Sequence, residues 1–195
     1  MSKLGFYFDA TMCTGCRTCQ VACKDKNRLD VGTLFREVKD YEVGSYPDVN
    51  WYHLTMSCNH CENPACVGTC PTGAMYVAED GTVIHDDALC IGCQACVAAC
   101  PYGAPKYVAE KQKVGKCDGC AAIRAAGGNP VCVDACPLRA LEFGDMDELA
   151  KKHAGENLIS VEGLPVVDPK ASTTPNYIIN AKPAMLKEGA EEMYL

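Results

Sequence analysis

Cysteine carries the chemistry of this chain, and its spacing says which chemistry that is. The stretch Cys90-Ile91-Gly92-Cys93-Gln94-Ala95-Cys96-Val97-Ala98-Ala99-Cys100-Pro101 reads C-x2-C-x2-C-x3-C-P. Three thiolates so close together can wrap three corners of one iron–sulfur cubane, with Gly92 easing the tight turn. The fourth sits on the helix that follows, and Pro101 ends that helix because it lacks an amide donor. In runs of this kind the fourth thiolate reaches a different cluster, so one run implies another.

Three more are present. Cys13, Cys16, Cys19 and Cys23 form the first group. Cys58, Cys61, Cys66 and Cys70, with Pro71 after them, form the second, and the run just described is the third. Cys117, Cys120, Cys132 and Cys136, with Pro137 after them, form the fourth. All 16 cysteines are used. At four thiolates per cluster they predict four [4Fe–4S] clusters. A disulfide framework has no need of such runs, and the opening Met1-Ser2-Lys3-Leu4-Gly5-Phe6 has no apolar signal core. Zinc sites use paired C-x2-C units, often with histidine, and do not explain the third and fourth cysteines or the prolines.

Each cluster in such a protein takes three cysteines from one run and the last from another. Groups two and three are joined by a short hairpin pattern, so Cys58, Cys61, Cys66 and Cys100 are expected to hold one cluster, and Cys90, Cys93, Cys96 and Cys70 its neighbour. Groups one and four then pair around them. Cys13, Cys16, Cys19 and Cys136 form a third set, and Cys117, Cys120, Cys132 and Cys23 a fourth. Sequential pairing, one with two and three with four, is the alternative; the long 27–50 connector suits an insertion better.

The elements that must position these thiols are short. Leu4 to Asp9 reads as a strand, Cys16 to Lys26 as a helix with Cys19 and Cys23 one turn apart on one face. Residues 27–50 are polar and read as an irregular connector, with a strand at Thr33 to Val38. Trp51 to Ser57 alternates as a strand. Met75–Ala78 and Thr82–His85 read as a hairpin, Gln94–Cys100 as a helix, and Pro105–Ala109 with Val114–Lys116 as another pair. Ala121–Ala126 is expected to be helical, inside the eleven-residue gap between Cys120 and Cys132. Ala140–Phe143 is a closing strand, and Asp145 caps a helix to His153, with Glu148 three residues on. The expected fold is α+β. It has two ferredoxin-like units: an outer one from 1–26 and 111–153, and a central one, 51–110, inserted into it. From 154 to 195 there is no cysteine, and four prolines break any long element. Leu164–Val167 and Tyr177–Ile179 are too apolar for a free tail, so this region is expected to be an extended arm laid on a partner subunit.

The formal charge is −7, with no basic stripe, which argues against nucleic acid as a partner. No stretch approaches the roughly 18 apolar residues of a membrane span. Oxidised clusters would add roughly −8 more at about −2 each. Arg17, Lys24, Lys106, Lys116 and Arg139, all near cysteines, are candidates to offset part of it. His60 reads as a packed or surface residue, with donation to a cluster sulfur as the alternative. His53, His85 and His153 read as ordinary residues.

The chain resembles the four-cluster iron–sulfur subunits of the molybdopterin oxidoreductase (dimethyl sulfoxide reductase) family. The resemblance rests on Cys13-Thr14-Gly15-Cys16-Arg17-Thr18-Cys19, on Ser57-Cys58-Asn59-His60-Cys61-Glu62-Asn63-Pro64-Ala65-Cys66, and on Cys90–Cys93 with Ala99-Cys100-Pro101-Tyr102-Gly103-Ala104-Pro105. Lys116-Cys117-Asp118-Gly119-Cys120 and Cys136-Pro137-Leu138-Arg139-Ala140 complete it. It spans residues 4 to about 153 and fits 155–195 only loosely. It implies the nested pairing. It also implies a large molybdopterin (molybdenum or tungsten) catalytic subunit as partner and often a membrane anchor that oxidises quinol. Some members replace the second cysteine of group three by tryptophan and hold a [3Fe–4S] cluster there; Cys93 favours four cubanes.

The function expected is therefore electron transfer, single electrons hopping between a donor and an active site elsewhere. A soluble polyferredoxin shuttling between enzymes is the alternative. No helical H-E-x-x-H, Ser-His-Asp set or phosphate loop appears, so the chain is not expected to be an enzyme on its own. Assembly is expected in the cytoplasm, with the complex staying there or being exported with a partner.

Overall fold

A computed structural model describes residues 3–167 and 173–194. In chain order the elements are β1 (Leu4–Asp9), α1 (Thr18–Asn27), β2 (Glu37–Val43), β3 (Asn50–Met56), α2 (Ala65–Gly68), β4 (Met75–Val77), β5 (Val83–His85), α3 (Ala95–Ala99) and β6 (Lys106–Val108). There follow β7 (Lys113–Gly115), α4 (Ala121–Ala125), α5 (Val131–Asp134), β8 (Leu141–Asp145), α6 (Met146–Lys152), β9 (Leu158–Ser160), β10 (Tyr177–Asn180) and β11 (Glu191–Met193). The class is α+β: small sheets, short helices and long loops.

The helices after the cysteine loops, α2 to α5, have four or five residues each. Isolated helices of that length do not persist in water, because nucleation costs more than one turn returns. Packing and ligation must hold them. α1 packs on α5 and α2 on α3, while the hairpins β4–β5 and β6–β7 flank the second pair. Around α2 and α3 the small core consists of Cys66, Cys96, Met75, Val83 and Val114, with Val67, Cys70, Cys90 and Val97 against it. Sulfur supplies much of what hydrocarbon supplies elsewhere.

The main sheet has the order β8-β1-β10-β9. β1 is buried on both faces: Phe6 and Phe8 are fully buried, and Tyr7 on the opposite face stacks on His153 at 3.7 Å between ring centroids. Phe6 meets Phe143 edge-on at 4.7 Å. α6 covers the Tyr7 face, and Asp145 caps it as the sequence predicts, accepting from the amides of Asp147 at 3.0 Å and Glu148 at 3.2 Å.

Two expectations change. The strand predicted at Thr33 to Val38 lies at Glu37–Val43, where it pairs with β3 along its whole length. The polar composition of 27–50 hides it because Asp40, a polar residue, faces inward. That carboxylate is buried and bound by Arg17 and by His53 Nδ1 at 2.6 Å. The second change concerns the expected arm. β10 lies between β1 and β9, parallel to β1 with Phe6 opposite Tyr177 and Phe8 opposite Ile179. Leu164, Tyr177, Ile179 and Met185 are fully buried in this chain's own core. The apolar runs that suggested a partner surface are spent internally, since an exposed β1 edge would leave amides and aromatics unpaired. Residues 168–172, within that region, lie outside the described residues.

Candidate metal centres

All four cysteine loops bend the same way. The third residue of each C-x-x-C is left-handed: Gly15, His60, Gly92 and Gly119, at φ 68°, 44°, 71° and 60°. Glycine takes this conformation freely; other residues resist it by roughly 1–2 kcal/mol. In three loops a tight left-handed turn is thus written into the sequence. In the second loop a histidine holds the same shape.

Three cavities are ringed by thiols. Cys13, Cys16, Cys19 and Cys136 surround one; Cys58, Cys61, Cys66 and Cys100 another; Cys70, Cys90, Cys93 and Cys96 a third. The remaining four, Cys23, Cys117, Cys120 and Cys132, are all buried and lie within electrostatic range of one another. Between sets, Cys19 lies in range of Cys132, Cys117 of Cys58, and Cys66 of Cys96. That proximity runs first set to fourth, fourth to second, second to third.

The donor chemistry fits iron–sulfur clusters. A single tetrahedral ion needs its thiolates about 2.3 Å from one point. Among the described residues, no three His, Cys, Asp or Glu groups converge in that way. The thiols ring spaces instead. Burial pushes the Cys61 and Cys66 thiols up to about 12 and Cys23 to about 11. Dry thiols alone keep their protons, so a cationic core must take the place of the protons when it binds. Cys16 is different: it is exposed, and the Thr18 hydroxyl holds its thiol below the ordinary range.

His60 is fully buried. Its Nδ1 accepts from the Val83 amide at 3.0 Å, which places the proton on Nε2, and Nε2 lies 3.9 Å from Cys117 Sγ. A residue of the second loop thus donates to a thiol of the fourth set. Burial pushes the imidazole pKa well down, so it donates as the neutral ring. The loop is locked from behind by the C-terminal region: Asn176 Nδ2 donates to His60 O at 2.7 Å, and the amides of Glu62 and Asn63 donate to Thr174 and Thr173 carbonyls.

Of the cations expected to offset cluster charge, Lys116 is buried beside Cys117 and donates to the Val83 and Cys117 carbonyls. Arg17 is committed to Asp40, Lys24 to the Asp30 and Thr33 carbonyls, and Arg139, which is exposed, to the Asp134 carbonyl. Lys106 is half-buried on β6. The most deeply buried cation, Arg36, was not among them. No neighbouring cysteine in sequence marks it. Asn59, also buried, has neither side-chain atom hydrogen-bonded and lines the cavity of the second set.

Comparison with known proteins agrees with this chemistry. Residues 49–146 match the family model described as a 4Fe-4S dicluster domain, and residues 10–28 a 4Fe-4S binding domain. The chain is 46% identical over 191 residues to the probable anaerobic dimethyl sulfoxide reductase chain YnfG of Escherichia coli K12, covering 89% of this chain and 92% of that one. It is 44% identical over 203 residues to another anaerobic dimethyl sulfoxide reductase chain of the same organism, covering 93% and 98%. A sulfite dehydrogenase subunit of Allochromatium vinosum is 37% identical over 170 residues, covering 76% and 71%. No helix among the described residues is long and apolar enough to cross a membrane.

Proposed function

The chain belongs to the family of dimethyl sulfoxide reductase iron–sulfur subunits, non-catalytic electron-transfer chains of oxidoreductase complexes, and from that premise we propose that it carries four [4Fe–4S] clusters in a relay. The first cluster is held by Cys13, Cys16, Cys19 and Cys136, the next by Cys23, Cys117, Cys120 and Cys132. Cys58, Cys61, Cys66 and Cys100 hold the third in line, and Cys70, Cys90, Cys93 and Cys96 the last. These sets follow two ferredoxin-like units, the 51–110 unit nested within 1–26 and 111–153.

The observation that carries this reading is the arrangement of the thiols: three cavities each ringed by one proposed set, with the fourth set buried among them. The clusters, when bound, supply one-electron carriers whose potentials follow charge, hydrogen bonds and burial. The chain's own residues do the rest. The left-handed loops hold the thiols in place, the short helices bring the fourth ligand across, and apolar side chains keep water from the interior sets. Exposed Cys16 and exposed Cys93 mark the two ends at which a partner could deliver or collect electrons.

The partner we propose is a large molybdopterin catalytic subunit, with a membrane anchor as a further member. The family names carry this proposal. It is tested by purifying the native chain anaerobically and identifying what accompanies it. A molybdenum- or tungsten-containing subunit in stoichiometric amount supports it. A chain that comes alone with ~16 iron atoms, as four cubanes require, would make it a soluble polyferredoxin.

A further inference from the structure

Arg36 is the largest of the fully buried side chains, 1% exposed. Its guanidinium lies over the Phe6 ring, 4.5 Å from the centroid. Nη1 donates to Thr55 Oγ1 at 3.0 Å and Nη2 to Ser57 Oγ at 2.9 Å, while the buried Nε has no hydrogen-bond partner. These partners are neutral. Among the described residues the one fully buried carboxylate is Asp40, and it is committed to Arg17 and His53.

Arginine does not discharge itself by losing a proton. A lone guanidinium in a dry interior is strongly unfavourable unless an anion balances it. The titratable groups in electrostatic range of it are the Tyr177 phenol and the His60 ring, both of which burial keeps neutral, and thiols from two different sets: Cys19, and Cys23, Cys117 and Cys132. The Thr55 hydroxyl that accepts from Arg36 also lies 3.7 Å from Cys19 Sγ. The anions that would balance the charge are therefore the thiolate-ligated clusters on either side.

We propose that Arg36 is the shared counter-cation of the two clusters held by Cys13, Cys16, Cys19 and Cys136 and by Cys23, Cys117, Cys120 and Cys132. It is a positioning residue, and the proposal rests on the four-cluster reading. An electron entering either cluster adds negative charge, so a fixed cation between them stabilises both reduced states and raises both potentials. The effect is largest on these two and weakens with distance toward the other pair.

The test uses the intact complex, purified anaerobically, with Arg36→Met and Arg36→Lys. Iron and labile sulfide are counted in the wild type first; a count short of four clusters would refute the four-cluster reading, independently of Arg36. Potentials are then read by electron paramagnetic resonance during redox titration, with signals assigned through Cys16→Ser and Cys93→Trp. Arg36→Met is expected to shift the reduction equilibrium of the two flanking clusters at least tenfold against reduction, about 59 mV downward for one electron. Arg36→Lys is expected to stay near the wild type, and the other two clusters to move less than the flanking two in both. Unmoved flanking potentials in Arg36→Met, or a Lys variant that behaves like Met, overturns the proposal. If Arg36→Met does not assemble, the Lys variant decides. Full iron with near-normal potentials supports a role for the charge, and loss of the clusters assigns the residue to packing alone.

Discussion

The two ends of the proposed relay and its middle are built differently. In the end sets, Cys16 and Cys93 are exposed and Cys13, Cys136, Cys70 and Cys90 half-buried, with only Cys19 and Cys96 buried. In the middle, Cys23, Cys117, Cys120 and Cys132 are all buried, as are Cys58, Cys61 and Cys66, with Cys100 alone half-buried. The buried cations and donors follow much the same division: Lys116 and His60 stand by interior thiols and Arg36 between interior thiols and Cys19 of one end, whereas Arg17 at that end is tied to a carboxylate. The contrast teaches that water can screen charge at the ends but that the protein must supply its own compensation inside. Interior sites are thus both fold and cofactor pocket; end sites are closer to attachments.

Single ligand changes should break that symmetry most visibly. Cys132→Ser, in the buried middle, is expected to abolish recovery of the assembled chain. Cys16→Ser is expected to leave an assembled chain with ~12 of ~16 iron atoms, one cubane fewer. Iron per chain in the anaerobic complex measures both, and equal losses would contradict the division.

Truncation sharpens it on the sheet. Removal of everything after His153 takes away β9 and the internal strand β10, uncovering Phe6 and Phe8. Leaving a large apolar side chain exposed instead of buried costs about 1.5–3 kcal/mol apiece, so the truncated chain should fail to accumulate in soluble form. Truncation after Lys187 removes the edge strand β11, Ala190 at the rim of the core and the Lys39–Glu192 pair. That half-buried pair contributes on the order of 1 kcal/mol, and a drop of only a few degrees in melting temperature is expected.

At the exposed end, Cys93→Trp is expected to convert one cubane to [3Fe–4S] while the complex stays assembled. A new oxidised-state paramagnetic signal would show it; silence would count against Cys93 as a ligand. Inside, His60→Gly should be tolerated by the backbone, since the other three loops have glycine at the same left-handed position. The lost donor should lower the potential of the cluster on Cys117 by about 59 mV, a tenfold shift for one electron. Titration of that one signal checks it, with His60→Gln, which keeps a donor, moving it less.

Much of this was legible in the sequence because ligation chemistry writes itself into spacing. Four C-x-x-C turns, the prolines after the fourth cysteines, the two short hairpins and the Asp145 cap each depend on a few neighbouring residues. What was not legible depends on distant partners. β2 was shifted because Asp40 faces inward only when Arg17 and His53 are there to bind it. β10 looked like an arm because its place between β1 and β9 is set by contacts across more than 170 residues, as Asn180 Nδ2 to Asp9 Oδ1 at 3.2 Å illustrates. Arg36 and the His60 tautomer were hidden for the same reason. Burial of a charge, and the direction of a hydrogen bond, belong to the fold.

The most direct test of the whole arrangement is a count of iron and acid-labile sulfide per chain in the anaerobically purified complex, corrected for clusters on its partners. Four cubanes predict ~16 of each. A fully loaded chain holding ~8 of each would mean that half of these thiols serve something other than clusters, and the relay would lose its middle.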